Sequence, residues 1–267
     1  MPRSALRTNL YPWLKLVPTI LASISAITTA SLKADPKTTT AQLGPLVGAV
    51  LAILQANSWL ILFISACTII LLNLILRWIG EPWRWNAIQV VLDRLRDNVY
   101  KQEFQGEPYH YHRVTLFKHV PFSISLRIWP WSGWLVPMAR SGHTNQNITS
   151  VFKAPDNADN AEGVAGLAWR SKETEGISNL PEISHTSCNE LILEYANATN
   201  VSVAFVKRRL AKSRSNPRSL IAIPIEVNNR VKWIVVLDSR SPRDLRGIAD
   251  AAASSYTPII SHLLKGA

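Results

Sequence analysis

Hydrophobic positions follow two different rules along this chain. Up to Leu76 they run together in long stretches, and from about Trp85 onward they recur at helix or strand spacing. Between Lys37 and Arg77 lie 39 residues without Asp, Glu, Lys, Arg or His, and between Lys15 and Lys33 lie another 17. Leu60–Leu76 (LILFISACTIILLNLIL) has Ser65, Thr68 and Asn73 as its polar positions and is bracketed by Trp59 and Trp78. Helical rise makes the gap between these tryptophans about 28 Å, close to the thickness of a hydrocarbon core, with an indole at each interface. A transmembrane helix over about 59–78 is predicted.

A first span is expected over about 14–32. Ser23, Ser25, Thr28, Thr29 and Ser31 dilute it, and the basic front of Arg3, Arg7 and Lys15 also suits a signal peptide with LVPTILASISAITTA as its h-region. Trp13 as an interfacial anchor favours the retained helix, whose small residues Ala22, Ser25, Ala26 and Thr29 would face a partner helix. The run Gly44–Leu54 is too short to span, and reads as an outer extension of the second helix or as an interfacial segment. Arg3, Arg7 and Lys15 precede the first span and Arg77, Arg84, Arg94 and Arg96 follow the second, against Lys33 and Lys37 between them. That bias predicts a multi-pass protein of the inner or plasma membrane, with its N-terminus and C-terminal domain in the cytoplasm. The membrane region is 1–84 and the cytoplasmic domain 85–267.

In the domain, Ile88, Val91, Leu92, Leu95 and Val99 mark one face of a helix over 85–103, which Gly106-Glu107-Pro108 breaks. Tyr111–Val120 and Trp134–Arg140 read as strands, and a short strand at Ile148–Phe152 interrupts the polar stretch His143–Glu162. Helices are expected at Cys188–Ala198 and Ser202–Lys212. Ser219–Val227 and Val231–Asp238 are apolar, β-branched runs joined by the hairpin turn Asn228-Asn229-Arg230. Ser241 and Pro242 suit the N-cap and first position of a last helix, with Leu245, Ile248, Ala249, Ala252, Tyr256, Ile259 and Leu263 as its stripe and Pro258 as a kink. The fold class is α+β: an N-terminal transmembrane helical hairpin, then an antiparallel sheet with helices on one face.

Composition sharpens this picture. Charged residues are 18%, below the roughly 25% of soluble domains, and the net charge of +11 permits anionic partners such as lipid headgroups or phosphorylated ligands. Two cysteines, Cys67 and Cys188, exclude a disulfide framework and a four-cysteine metal site.

The strand HRVTLF (His112–Phe117), the turn GVAGLAW (Gly163–Trp169) with Asn179-Leu180-Pro181 after it, and RSLIAIPIEV…WIVVLDS (Arg218–Ser239) ahead of the last helix together resemble a GAF domain. The resemblance covers about residues 86 to 264 and implies a sheet with a ligand pocket on one side, helices on the other, and dimerisation through the terminal helices. The signature of cyclic-nucleotide-binding members has no match here, the order around His185 and Cys188 is wrong for bilin attachment, and the methionine-sulfoxide reductases of the family need more cysteines than Cys188 alone.

The candidate ligand-binding residues are Arg113, Arg140, Trp169, Arg170 and Arg218, placed near strand ends or after the glycine turn. Arginine and indole suit a flat anion through bidentate hydrogen bonds and stacking; the alternative is a core tryptophan with surface arginines. Asp238 would orient Arg113 or Arg218. His110 and His112 share a strand face but lack a third ligand, so no metal and no cofactor is expected. Lys207, Arg208, Arg209, Lys212, Arg214 and Arg218 form a basic cluster suited to phosphate-rich ligands, anionic lipid or plain solvation; without interleaved aromatics it argues against direct nucleic-acid binding. No hydrolase motif is present, so no catalytic residue is named and an enzyme is not expected. The preferred reading is a membrane-anchored sensory protein whose GAF-like domain binds a small, anionic or nucleotide ligand and forms a homodimer. The alternatives are a two-helix membrane effector triggered by a nucleotide second messenger, of bacterial antiphage type, and a scaffold that binds no ligand.

Overall fold

The computed structural model describes residues 3–33, 44–79, 82–101, 111–121, 133–142, 150–155, 160–212, 216–243 and 246–265. The chain divides into two compact units, Met1–Trp83 and Arg84–Gly266.

The first unit is helical. Helix α1 (Arg3–Ser31) packs along α3 (Ser58–Ile79), and the apolar run between them forms a helix of its own, α2 (Pro45–Ala56), closed by a turn at Asn57. Trp13–Ser31 and Ser58–Leu76 are each long and apolar enough to cross a membrane. Their buried positions are small and polar: Thr28 is fully buried, Ser31 and Ser65 nearly so. Their hydroxyls can be satisfied within the helix, and Thr28 and Ser25 donate to the carbonyls of Ile24 and Leu21, each at 2.9 Å. Gln55 Nε2 ties α2 to the end of α1 by donating to the Ser31 carbonyl at 2.6 Å. The contact stripe is rotated from the expected one. Ala22, Ala26 and Thr29 are exposed, whereas Leu21, Ser25, Thr28 and Ser31 turn inward.

The second unit is built on a six-stranded antiparallel sheet. Its strands are β1 (His112–Val120), β2 (Trp134–Arg140), β3 (Phe152–Lys153), β4 (Glu175–Ile177), β5 (Ser219–Val227) and β6 (Arg230–Ser239). They lie in the order β3-β2-β1-β6-β5-β4. Asn228 and Asn229 both take positive φ, 55° and 58°, the conformation of a two-residue turn that matches strand twist. Period-two alternation sorts the side chains. Val114 and Leu116 of β1, Ile221, Ile223 and Ile225 of β5, and Trp233, Val235 and Leu237 of β6 join helices α4 (Pro82–Val99) and α8 (Arg246–Leu264) in one core. Ile88, Leu92, Leu95 and Val99 of α4 are all buried there, so its apolar stripe is covered by the chain's own sheet.

The opposite face of the sheet carries α5 (Gly163–Ser171), and a third cluster joins α6 (Asn189–Ala198) to α7 (Val203–Ala211). With two terminal helices on one face and short helices around the other, the second unit has the GAF-like α+β arrangement. Several local expectations are corrected. GVAGLAW is a helix, because Val164, Ala165 and Ala168 bury at helical spacing while the glycines allow close packing: a Cβ on Gly166 would meet Ala161 at 3.1 Å. The last helix begins at Arg246 among the described residues, not at Pro242, and it buries Ile260 while leaving Ile248 and Ile259 exposed. Strand β4 has no counterpart in the sequence reading. Gly106-Glu107-Pro108, Leu245 and the first two residues of Ile148–Phe152 lie outside the described residues, and the short strand expected there forms at Phe152–Lys153.

Candidate functional site

On the face of the sheet opposite the terminal helices, the alternation that buries Val114 and Leu116 turns Arg113, Thr115 and Phe117 of β1 the other way, along with Val236 and Asp238 of β6. These residues floor a partly open cavity of about 80 Å³. Helix α5 closes one side through Gly163, Val164 and Ala165, and α6 contributes Tyr195 and, at its C-cap, Thr199. Helix α7 contributes Phe205, Val206 and Arg209; its N-cap Ser202 accepts from the Phe205 N–H at 3.2 Å. Asn200 locks the rim, with its backbone carbonyl taking the Gly163 N–H and its side chain donating to the Ala161 carbonyl, both at 2.7 Å.

Three guanidinium groups line this space. Arg113 Nε donates to Asp238 Oδ1 at 2.6 Å. The neighbouring carboxylate raises Arg113 above its ordinary value, against the opposing effect of burial, so it stays charged. Arg140 Nε donates to Thr115 Oγ1 at 2.9 Å, which holds the end of β2 against β1. Arg209 Nε donates to Asn216 Oδ1 at 3.0 Å and Nη1 to Ser150 Oγ at 3.3 Å. The Tyr195 hydroxyl donates to the Pro217 carbonyl at 2.8 Å, and burial pushes it well above its ordinary value, so it remains a neutral phenol. The rest of the wall is apolar, with Phe117, Phe152 and Phe205 in a tilted row at centroid separations of 5.6 and 5.8 Å. An apolar chamber with clustered guanidinium donors and one carboxylate suits a small anion better than a cation.

Of the five residues singled out from the sequence, Arg113 and Arg140 meet at this cavity and the other three do not line it. Trp169 stacks on His119 at 3.8 Å, and Arg170 is exposed near the end of α5. Arg218 is a fastener: its N–H donates to the Ser239 carbonyl at 2.7 Å and its Nε to the Leu180 carbonyl at 3.1 Å. Asp238 therefore orients Arg113 and not Arg218. Arg209 belongs to the basic cluster that suits phosphate-rich ligands, anionic lipid or plain solvation, and it lies three and four residues beyond Val206 and Phe205, the spacing that puts a side chain on the inward helix face. Asn216 and Tyr195 gave no such signal. His112 is buried at a strand start with Nδ1 at 2.8 Å from Ser239 Oγ, and its ring stacks on Tyr100; His110 lies outside the described residues.

Neither a family model nor a curated protein matches this chain by sequence. GAF domains recur among the solved structures similar to it. The GAF domain of an Acinetobacter phosphoenolpyruvate-protein phosphotransferase is 13% identical, with 64% of this chain and 78% of that one covered and a TM-score of 0.38. The GAF domain of a two-component sensor histidine kinase from Bacillus halodurans is 13% identical over 65% of this chain and 92% of that one, with a TM-score of 0.36. The free methionine-R-sulfoxide reductase of Neisseria meningitidis is 15% identical over 66% and 83%, with a TM-score of 0.37. Sensor domains and a reductase thus both occur among the similar structures.

Proposed function

We propose that this chain is a membrane-anchored, non-enzymatic sensory protein whose GAF-like domain binds a small anion in the arginine-lined cavity. One observation carries the reading: Arg113, Arg140 and Arg209, from β1, β2 and α7, line one apolar cavity with Asp238 as the acid among its lining residues. In the anchor, α1 and α3 cross the inner or plasma membrane as a multi-pass hairpin, and the basic residues at its outer ends place both termini in the cytoplasm. The bilayer is then the first partner. A second copy of the chain is the other, and its contact would use the exposed Val90, Ile248 and Ile259, because Leu95 and Val99 are spent on the sheet. Nucleic acid has no role in this reading.

The output is conformational, and Arg140 is the residue through which it leaves the site. Its guanidinium lines the cavity while its backbone carbonyl accepts from Gln89 Nε2 of α4 at 2.6 Å. Two residues on, the Gly142 N–H donates to Asp93 Oδ1 of the same helix at 2.7 Å. Helix α4 follows the hairpin in the chain, so a shift of the β2 end on binding is delivered to the segment that leads to the membrane. Calorimetric titration of the full chain in detergent with a panel of small carboxylates and oxyanions tests this. Saturable binding that Arg140→Ala weakens by about tenfold or more is expected, since a charge-assisted contact contributes about 1.5–3 kcal/mol. Absence of binding to every anion by the folded chain would end the sensor reading.

A further inference from the structure

The cavity also indicates what kind of anion it takes, an inference that rests on the anion-binding reading above and narrows it. The bond from Arg209 Nε to Asn216 Oδ1 fixes the orientation of the Asn216 amide, with its oxygen toward the guanidinium and its nitrogen away. Asn216 lines the cavity, and its Nδ2 is buried without a hydrogen-bond partner among the described residues. Buried amide donors in folded proteins are almost always matched to an acceptor. Beside a guanidinium, the acceptor of best chemistry is an oxyanion.

The remaining wall restricts what that oxyanion is attached to. Phe117, Phe152, Phe205 and Leu220 make much of the lining, and Arg113 is already matched to Asp238 at 2.6 Å. Inorganic phosphate or nitrate would satisfy the amide and leave these rings against water. A nucleotide or cyclic dinucleotide would set polar sugar hydroxyls against these apolar side chains, a burial that is costly unless hydrogen-bonded. We infer that the ligand is a small organic monocarboxylate. Its carboxylate accepts from Asn216 Nδ2 beside Arg209, and its apolar body, one ring or a short branched chain, lies on the phenylalanine row.

The test is titration of the full-length chain in detergent with benzoate, 3-methylbutanoate, acetate and inorganic phosphate, followed by calorimetry and thermal melting. Benzoate or 3-methylbutanoate is expected to bind at least tenfold tighter than acetate or phosphate. Asn216→Asp, which keeps an acceptor for Arg209 and sets a negative charge against the ligand, is expected to lose at least tenfold in that affinity. Should that variant fail to fold, Asn216→Ser carries the same expectation. Equal affinity for phosphate, acetate and benzoate, abolished by Arg140→Ala, would overturn the monocarboxylate assignment and leave anion sensing standing. Undiminished benzoate binding in a folded Asn216 variant would overturn it as well. If none of the four anions binds the folded wild-type chain, the monocarboxylate assignment is overturned, and the wider panel of carboxylates and oxyanions decides the anion reading separately.

Discussion

The two units of this chain solve burial in opposite ways. In the first, where α1 packs along α3, the buried side chains include Thr28 and Ser65, 0% and 4% exposed, while Trp59 and Phe63 are 71% and 63% exposed. In the second, Leu92 and Trp233 are among the most buried side chains, and the exposed surface is largely polar. Water drives large apolar groups together and so explains the second unit. It cannot explain the first. In lipid there is no gain from hiding leucine, and helices associate through close contact of small residues whose hydroxyls bond within the helix. The inversion is the physical content of the claim that one chain is built for two solvents.

The largest effect that would sharpen this contrast is a carboxylate placed at matching leucines. Leu92→Asp puts a charge in the sheet core and is expected to leave the second unit unfolded, because its cost exceeds about 5 kcal/mol against a total stability of similar size. Leu71→Asp, on the exposed face of α3, should leave the second unit's near-ultraviolet dichroism unchanged while lowering membrane insertion by about 2.5–3.5 kcal/mol on insertion scales. Equal damage to both units from Leu71→Asp would break the comparison.

Next in size is the ion pair at the cavity floor. Arg113→Ala leaves Asp238 with its side chain 10% exposed and its guanidinium partner gone, so a loss of about 3–5 kcal/mol is expected in urea unfolding of the full chain followed at the second unit. In the first unit, Thr28→Leu overpacks the helix contact at a cost of about 1–3 kcal/mol, whereas Ile70→Ala on the exposed face of α3 should stay within about 0.5 kcal/mol. Detergent-titrated unfolding of the hairpin separates the two. A reversed order would mean that Ile70, not Thr28, lies in the helix contact.

The gentlest test is alkaline. Burial raises the Tyr195 phenol, so the folded form keeps its proton above pH 10, where the unfolded chain releases one. The unfolded state then binds fewer protons, and stability falls as pH rises from about 10 toward the native value, by about 1.4 kcal/mol per unit. Below pH 10 this group contributes no slope. Tyr195→Phe should remove that part of the alkaline decline in urea midpoints, and an unchanged decline would show that Tyr195 is not the group responsible.

Legibility from sequence differed between these regions for physical reasons. Strand β2 and the β5–β6 hairpin were readable because alternation and the Asn228-Asn229 turn act locally. That Arg113 and Arg140 line a cavity was readable because each sits on a strand near its end. GVAGLAW was misread because glycine signals a turn or close packing alike, and only Phe152 and Ala161 across the gap decide between them. Strand β4 spans Glu175–Ile177, too short for any period, and exists through its pairing with Leu220–Ala222. In α1 two small-residue stripes lie side by side, and the packing against α3 selects the one with Thr28. Asn216 joins the cavity through a bond from Arg209 that no spacing encodes, whereas the place of Arg209 behind Phe205 and Val206 on the inward face of α7 is itself a spacing signal.

The chain carries its own probes for the central claim, since Cys67 lies on α3, Cys188 caps α6, and both are exposed. Labelling requires the thiolate, which forms in water and not in hydrocarbon. The decisive measurement is the rate of reaction of each cysteine with a membrane-impermeant maleimide, in membranes from lysed cells and again after dissolution in denaturing detergent. Cys188 is expected to react readily in both conditions and Cys67 only after dissolution. Reaction of Cys67 at the rate of Cys188 in intact membranes would contradict it, because α3 would then face water.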